Sequence, residues 1–473
     1  MNYPGFIGPS GTDRSSVVSC ERSINLYLQP DDSNPKVLAL YAFPGLYPVA
    51  TLASGPVRGL YEATTGQVFA TTSTELYEVF SGWTVTNRGT IPNGTNPVSM
   101  TDDGTFLVLS VEGTGLTYHM TDHTLATIAP DDPTLTFGRV SYIDGRIITN
   151  EPNSRRFWFS DILAPGTWGA LSYYGAEGRA DNILGQIVDH REIWLGGTQS
   201  VEVWYSTGDS LSPFARMQGV FIEQGLASGW SLQALDNTVF SLGGTPRGQG
   251  PIWKYQGYSP VRISNHSFES MLSTQSSVAS AIGFTARHGG HAWYFLYLPN
   301  AETTWAYDNL LGAWTELAAL ADDGSLMPFP AYTHCSAYGL HLFGSASDGT
   351  LYVWNPAYHF YGTRPRYCER TGPFLRDEDN GSRITFSNVQ LRCLTGQGLD
   401  GNPPVGVDPQ YRLSWTEDGV TWSFEHQRSA GRIGQYERRV TWRQLGQSRA
   451  RAFRVISTDP VAHCWRGITI NGD

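Results

Sequence analysis

Residues 182–219 constrain the chain more than any other stretch, because strand-like runs follow one another there with a reversal between each. Ile187-Val188, Ile193-Trp194-Leu195 and residues 201–205 (VEVWY) are β-branched, apolar or aromatic, the composition that fits a pleated surface. Asp189-His190 and Gly196-Gly197-Thr198 fall where the chain must reverse. Thr207-Gly208-Asp209 precedes a last run, Phe214-Ala215-Arg216-Met217. The stretch predicts a four-stranded antiparallel meander.

The rest of the chain repeats it. Units open near Val57, Pro97, Gly138, Ile183, Trp230, Ala279 and Ala331, and each passes from a short apolar run through a turn to an aromatic-rich strand. The third strand of the units carries Leu76-Tyr77, Thr117-Tyr118, Phe157-Trp158-Phe159, Val203-Trp204, Ile252-Trp253, Thr304-Trp305 and Tyr352-Val353-Trp354. A period of roughly 40 to 50 residues is that of propeller blades. Blades pack face to face, and wide flat side chains at equivalent positions suit that interface. Aromatic residues at 13%, 52 Gly, 27 Pro and only 16% charged residues favour short strands and turns over long helices. The expectation is an all-β protein with a propeller of seven blades, or six if the first unit supplies only closing strands. Unrelated hairpins in sandwiches are the competing reading, against which seven recurrences weigh.

The expected division has four parts. Residues 1–55 form an N-terminal arm and closing strands, with RSINLYL and KVLALYAFPGLYPVATL as the strand-like pieces. The propeller covers 56–357. A linker rich in Tyr, Arg, Gly and charge covers 358–380, and 381–473 alternate with period two, as a β-sandwich does.

Several function classes recede on composition. No run of about 18 apolar residues is present, so no membrane-spanning helix is expected. The first residues, MNYPGFIGPSGTDR, lack the basic and apolar regions of a secretory signal. Cys20, Cys335, Cys368, Cys393 and Cys464 are scattered without a C-x-x-C pair, which reads as free thiols made in a reducing compartment. Net charge is −11, unevenly spread. From Arg370 onward 14 Arg face 11 Asp plus Glu, giving +3, and the first 369 residues carry −14. Such an acidic body is not an affinity binder of nucleic acid.

Candidate chemistry is sparse. Arg287-His288-Gly289-Gly290-His291 spaces two histidines as metal ligands can be spaced, but two glycines between strands make a hairpin turn first. His266 and Glu269 form no zinc motif. Residues 243–250 (GGTPRGQG) lead into a strand, not the helix N-terminus a phosphate cradle needs, and read as a flexible loop. Glu417-Asp418-Gly419-Val420-Thr421-Trp422 resembles the Asp-box hairpin of sialidase-like propellers, yet occurs once and reads as a turn. Asp102-Asp103 and Asp322-Asp323 precede glycine and read as solvated turns. No catalytic, cofactor or metal residues are nominated. Arg449 and Arg451, with Ala450 and Ala452 on the opposite strand face, read either as a positive docking ridge or as a charge-guarded edge.

Several stretches resemble the packaged-DNA stabilisation proteins of short-tailed bacteriophages, the tail hub or nozzle family related to the accessory factor of phage P22. They are RSINLYL and FPGL, VRGLYEATTGQVFATTSTELYEV, ILGQIVDHREIWLGGTQSVEVWYSTG, IEQGLASGWSLQALDNTVFSLGG with GYSPVRISNHSFE, and the end from Leu413 through WTEDGVTWS and YERRVTWRQLGQSRARAFRVISTDPV to Ile470. The resemblance implies a non-enzymatic virion protein, made in the host cytoplasm, present as a homo-hexameric ring. That ring would follow the portal and adaptor, retain packaged DNA and form its ejection channel, and carry a needle and a tailspike or fibre. DNA would pass without sequence-specific binding. No cofactor is implied. Arg438, Arg439, Arg449 and Arg451 are the expected assembly residues, pairing with a neighbour. The alternative function is a glycan-binding or glycan-hydrolysing propeller, since one fold hosts many activities.

Overall fold

In the computed structural model, residues 32, 33, 35, 36, 246, 247, 378–380, 401–404 and 473 and the side chains of 245, 248 and 249 lie outside the description that follows. The described residues are built mostly of strands, with one α-helix among them, His266–Ser273.

Seven antiparallel blades follow one another in sequence. Blade 1 pairs Gly59–Glu62, Val68–Thr71, Glu75–Val79 and Val85–Thr90 in that order. Blades 2 to 7 occupy residues 99–127, 140–175, 183–216, 225–262, 282–320 and 331–355. The first strands of successive blades adjoin in a cycle, and Ala331–Ala337 of blade 7 returns to Gly59–Glu62. The expected unit starts coincide with the blades. The seven third strands, from Glu75–Val79 to Thr350–Asn355, are the aromatic-bearing segments picked out by their composition.

The apolar core is divided among the blade interfaces. One buried cluster lies between each adjacent pair, from Phe69, Leu107 and Tyr118 between blades 1 and 2 to Val57, Leu342 and Val353 between blades 7 and 1. Successive side chains of a strand point to opposite faces, so one strand serves two clusters. In His291–Leu298, Tyr294 and Leu296 pack toward blade 5, and Trp293 and Phe295 toward blade 7. That is why HAWYFLYL is apolar throughout. Aromatic pairs cross several interfaces, including Phe157 with Trp204 at 5.1 Å and Phe240 stacked on Tyr294 at 5.1 Å.

Two-residue hairpins at positive φ turn the blades. Asp144-Gly145, His190-Arg191, Asp236-Asn237 and Gly289-Gly290 all adopt it at both positions, the conformation a right-twisted hairpin requires. In the opening meander the reversal therefore falls one residue later than expected, at His190-Arg191. The stretch 243–250 is not a loop: Thr238–Thr245 and Gly248–Gln256 form a long hairpin through it, pairing Thr245 with Gly248, and its tip lies outside the described residues.

The strand pairing differs from the expected division at both ends. Of the first 55 residues only Gly45–Thr51 closes the propeller, pairing antiparallel with Thr350–Asn355 as the fourth strand of blade 7. The earlier strands belong to the sandwich. One sandwich sheet runs Leu26–Pro30, Leu38–Ala42, Cys464–Ile470, Asn388–Cys393, Val440–Arg443. The other runs Cys20–Ile24, Cys368–Thr371, Ala450–Ser457, Gln410–Thr416, His426–Ser429, and continues into blade 6 through the parallel pair Ile24 with Glu316. The expected linker likewise contains strands: Phe360–Tyr361 pairs with Gly45–Thr51, and Cys368–Thr371 with Ala450–Ser457. The sandwich is thus discontinuous, and the propeller is inserted between its two parts.

RSINLYL, read as one strand, is two. Asn25 sits at φ 55 and sends Cys20–Ile24 and Leu26–Pro30 into opposite sheets. Its fully buried amide donates to Ala318 O at 2.7 Å and Tyr367 O at 2.6 Å, and accepts from Ala318 N and the Tyr361 hydroxyl at 3.1 Å each. A period-two pattern carries no sign of such a break.

Candidate assembly surfaces and the propeller axis

Arginines from the inner edges of the blades occupy the propeller axis. Arg58, fully buried, donates to Asn96 O at 2.6 Å and Ser73 O at 3.1 Å and pairs with Glu112 of blade 2 at 2.5 Å. Arg139 of blade 3 reaches the carbonyls of Gly229 at 2.9 Å and Leu232 at 2.7 Å in blade 5, with its guanidinium 5.6 Å from the Trp230 ring. Burial pulls the Arg139 guanidinium down to about 10, so it stays charged at neutral pH. A cavity of about 250 Å³ lies beside Arg58, Arg139, Trp230 and Tyr332, and Arg139 crosses the axis from blade 3 to blade 5. A duplex has a major groove alone about 12 Å wide, so the axis of one propeller is not a passage for DNA.

The histidines and carboxylates singled out above are structural. His288 and His291 flank the Gly289-Gly290 turn as a cross-strand pair. His291 is bonded to Asp308 at 2.7 Å and Gln29 at 2.8 Å. His266 opens the helix, where Glu269 pairs with Arg262. Asp418 accepts from Val420 N at 2.8 Å and Thr421 N at 2.7 Å, bonds that hold its carboxyl below the usual range. The Asp-box-like hairpin is therefore a self-capped turn. Asp322 and Asp323 lie in an exposed turn, and half-buried Asp103 caps its own bend by accepting from Thr105 N at 2.9 Å and Phe106 N at 2.7 Å. Asp102 corrects the expectation: it is buried, and it ties blade 1 to blade 2 by accepting from the Tyr61 hydroxyl at 2.8 Å and Thr64 N at 3.2 Å. Among the described residues no group of three or more His, Cys, Asp or Glu is arranged to hold a metal ion, and no helix is long and apolar enough to cross a membrane. All five cysteines are free.

A mostly apolar cavity of about 340 Å³ lies where the arm, the helix and blade 6 meet. Phe268, Met271, Trp305 and Trp314 line it, with the Arg22–Glu316 ion pair at one wall.

The four expected assembly arginines separate. Arg438 and Arg439 are exposed in the loop before Val440–Arg443, and Arg449 is exposed at the bend before Ala450–Ser457. Arg451 is 4% exposed. It pairs with Glu417 at 2.6 Å and lies over the rings of Phe386 and Trp415 at 4.8 and 5.2 Å. The expected alternation fails because Ala450–Ser457 is a central strand covered on both faces, and Arg451 is buried and paired within the chain.

Sequence reasoning missed Arg370. It is fully buried and donates to Phe6 O, Pro9 O, Gly5 O, Ser23 Oγ and Glu21 at 2.5 to 3.2 Å. It thereby fixes the first residues, whose Tyr3 and Phe6 enter the sandwich core. An arginine followed by Thr-Gly-Pro carries no local signal of this role.

A closed ring of seven blades carried on a sandwich defines an all-β propeller protein. The chain belongs to the bacteriophage P22 Gp10 family: residues 18–358 match the model described as "Bacteriophage P22 Gp10, beta-propeller", and 368–473 the one described as "Bacteriophage P22 Gp10, beta-sandwich". It is a phage tail structural protein and a virion component. No curated protein matches the chain. Among solved structures, similarity is weak. The extracellular domain of the putative one component system BT4673 from B. thetaiotaomicron is 11% identical at TM-score 0.44, and 73% of this chain covers 43% of that one. The N-terminal domain of Nup159 is 9% identical at TM-score 0.43, over 70% of this chain and 98% of that one. Neither likeness bears on function.

Proposed function

We propose that six copies of this chain form a ring in a short phage tail, retaining packaged DNA and forming its ejection channel. The ring docks on the portal-adaptor above and carries the needle and a tailspike or fibre below. The reading assigns the chain no catalytic role. The observation that carries it is the pair of family matches, in chain order, over both structural parts. The closed propeller axis supports a channel between copies rather than through one. An acidic body suits such a channel, because attraction to DNA grows with the number of phosphates neutralised.

Electron microscopy of the purified protein, alone and mixed with its virion's portal and adaptor, tests the reading alongside mass photometry. A six-fold ring with an axial channel wide enough for duplex DNA is expected. A monomer that ignores the portal complex and binds or cleaves glycans would overturn it in favour of the glycan-active alternative.

A further inference from the structure

Two exposed apolar patches lie on separate parts of the molecule, one on the sandwich and one on the propeller. On the sandwich, the loops around 394–399 and 431–439 fold over one another. Thr395 Oγ1 donates to Tyr436 O at 2.7 Å, and Gly396 N to Ala430 O at 3.1 Å. This leaves Leu394, Ile433 and Tyr436 42, 61 and 66% exposed. Arg432, Arg438 and Arg439 flank them, with Glu437 as the one acid in that loop, and no ion pair within the described residues joins any of the three arginines. The other patch lies on the loops joining third to fourth strands in blades 3 and 4. Ile162, Leu163, Leu171 and Leu211 are 61, 74, 86 and 93% exposed there. Leu163 N bonds to Gly145 O, which fastens the blade 3 loop to that blade's first hairpin, and the Tyr174 hydroxyl on the fourth strand of blade 3 meets Ser212 Oγ of the blade 4 loop at 3.3 Å. Exposed Asp161 and Asp209 flank this patch, and Asp209 is held ionised by Leu211 N and Ser212 N.

Clusters of this kind mark interaction sites on soluble proteins, and these two match in character: each is apolar at its centre, one with a basic rim and one with an acidic rim. Their placement matches as well. The sandwich joins the propeller at blades 6 and 7, and blade 3 is as far round the ring from both as seven blades allow.

We propose that the sandwich loops of one copy dock on the blade 3–4 loops of the next, a head-to-tail contact between copies of this chain. It rests on the ring reading above and supplies its contact. Two different surfaces in contact generate rings when the rotation closes. Leucine, isoleucine and tyrosine at the centre supply the apolar burial, and the arginine and aspartate rims fix orientation and speed encounter.

Two double variants test it: Ile433→Asp with Tyr436→Asp on the sandwich, and Leu163→Asp with Leu211→Asp on the propeller. All four positions are exposed loop residues, so circular dichroism spectra unchanged from wild type are expected. In ultracentrifugation each variant alone is expected to be monomeric under conditions where wild type assembles. Mixed in equal amounts they are expected to stop at one-to-one dimers, because each retains the surface the other lacks. Variants that assemble like wild type overturn the contact while leaving the ring reading intact, as does failure to bind adaptor with self-assembly unchanged. Wild type that stays monomeric up to its solubility limit overturns the contact outright. Head-to-tail assembly that grows as open filaments upholds the contact and overturns the ring.

Discussion

A buried guanidinium with five acceptors, as at Arg370, is stable only while all of them are in place, since an orphaned buried polar group costs about 1–3 kcal/mol. Arg370→Met is expected to destabilise the protein by roughly 3 kcal/mol or more, seen as an earlier urea midpoint, and to free residues 1–10 for proteolysis. Arg451→Met is expected to lower stability as well, but to leave assembly unchanged, because its partners are internal. Burial pushes both His334, packed on His341 and Phe343, and His463, packed on Tyr411, down to about 3. Each is neutral in the folded protein where the unfolded chain is already protonated. The stability they contribute is complete above the unfolded value near 6.5 and is lost as pH falls toward 3, at about 1.4 kcal/mol per pH unit for each. Urea midpoints measured from pH 7.5 to 5 are expected to fall, and His334→Gln to flatten the slope. A flat wild-type profile would contradict the burial argument. Little of this is readable beforehand: Arg438 and Arg451 look alike in sequence, and only the two covered faces of Ala450–Ser457 separate them.

At the scale of elements, Asn25 joins both sandwich sheets, blade 6 and the segment after the propeller. Asn25→Gly keeps the backbone conformation but loses four hydrogen bonds; Asn25→Ala loses both, since an alanine at positive φ is strained. Both are expected to destabilise, alanine more by about 1 kcal/mol, as thermal denaturation would register. Gly45 is comparably constrained: a Cβ there would lie 2.0 Å from Tyr358 O. Gly45→Ala is expected to loosen the closing strand, with faster amide exchange in residues 350–355 than in blade 3. The blades themselves were legible because their signals are local. Asp144-Gly145 and Gly289-Gly290 announce hairpins, and third-strand aromatics recur because every interface needs them. Asn25 is not legible, since its partners lie about 290 to 340 positions away in sequence.

For the whole molecule, the consequence is that the sandwich is not a separable C-terminal domain. Its core takes Tyr3, Phe6, Leu26, Leu28 and Leu40 from the first 42 residues, and burying five such side chains supplies on the order of 10 kcal/mol. Residues 368–473 alone are expected to remain unfolded by near-ultraviolet circular dichroism. Residues 1–42 joined to them by a short flexible linker are expected to restore cooperative unfolding. Period-two alternation marks the C-terminal strands, but pairing between the two ends of a chain leaves no periodic trace, so residues 1–55 read as an arm and closing strands, not as part of the sandwich. The docking loops were hidden for a related reason: exposure of Ile433 or Leu211 is decided by packing that neighbouring residues do not reveal. The insertion also sets an order in time. At roughly 5–20 residues per second of synthesis, the first strands wait on the order of half a minute for partners that leave the ribosome last. A chain that stops before residues 368–473 therefore leaves the core around Tyr3, Phe6 and Leu26 without its partners, so synthesis itself acts as a checkpoint on the fold.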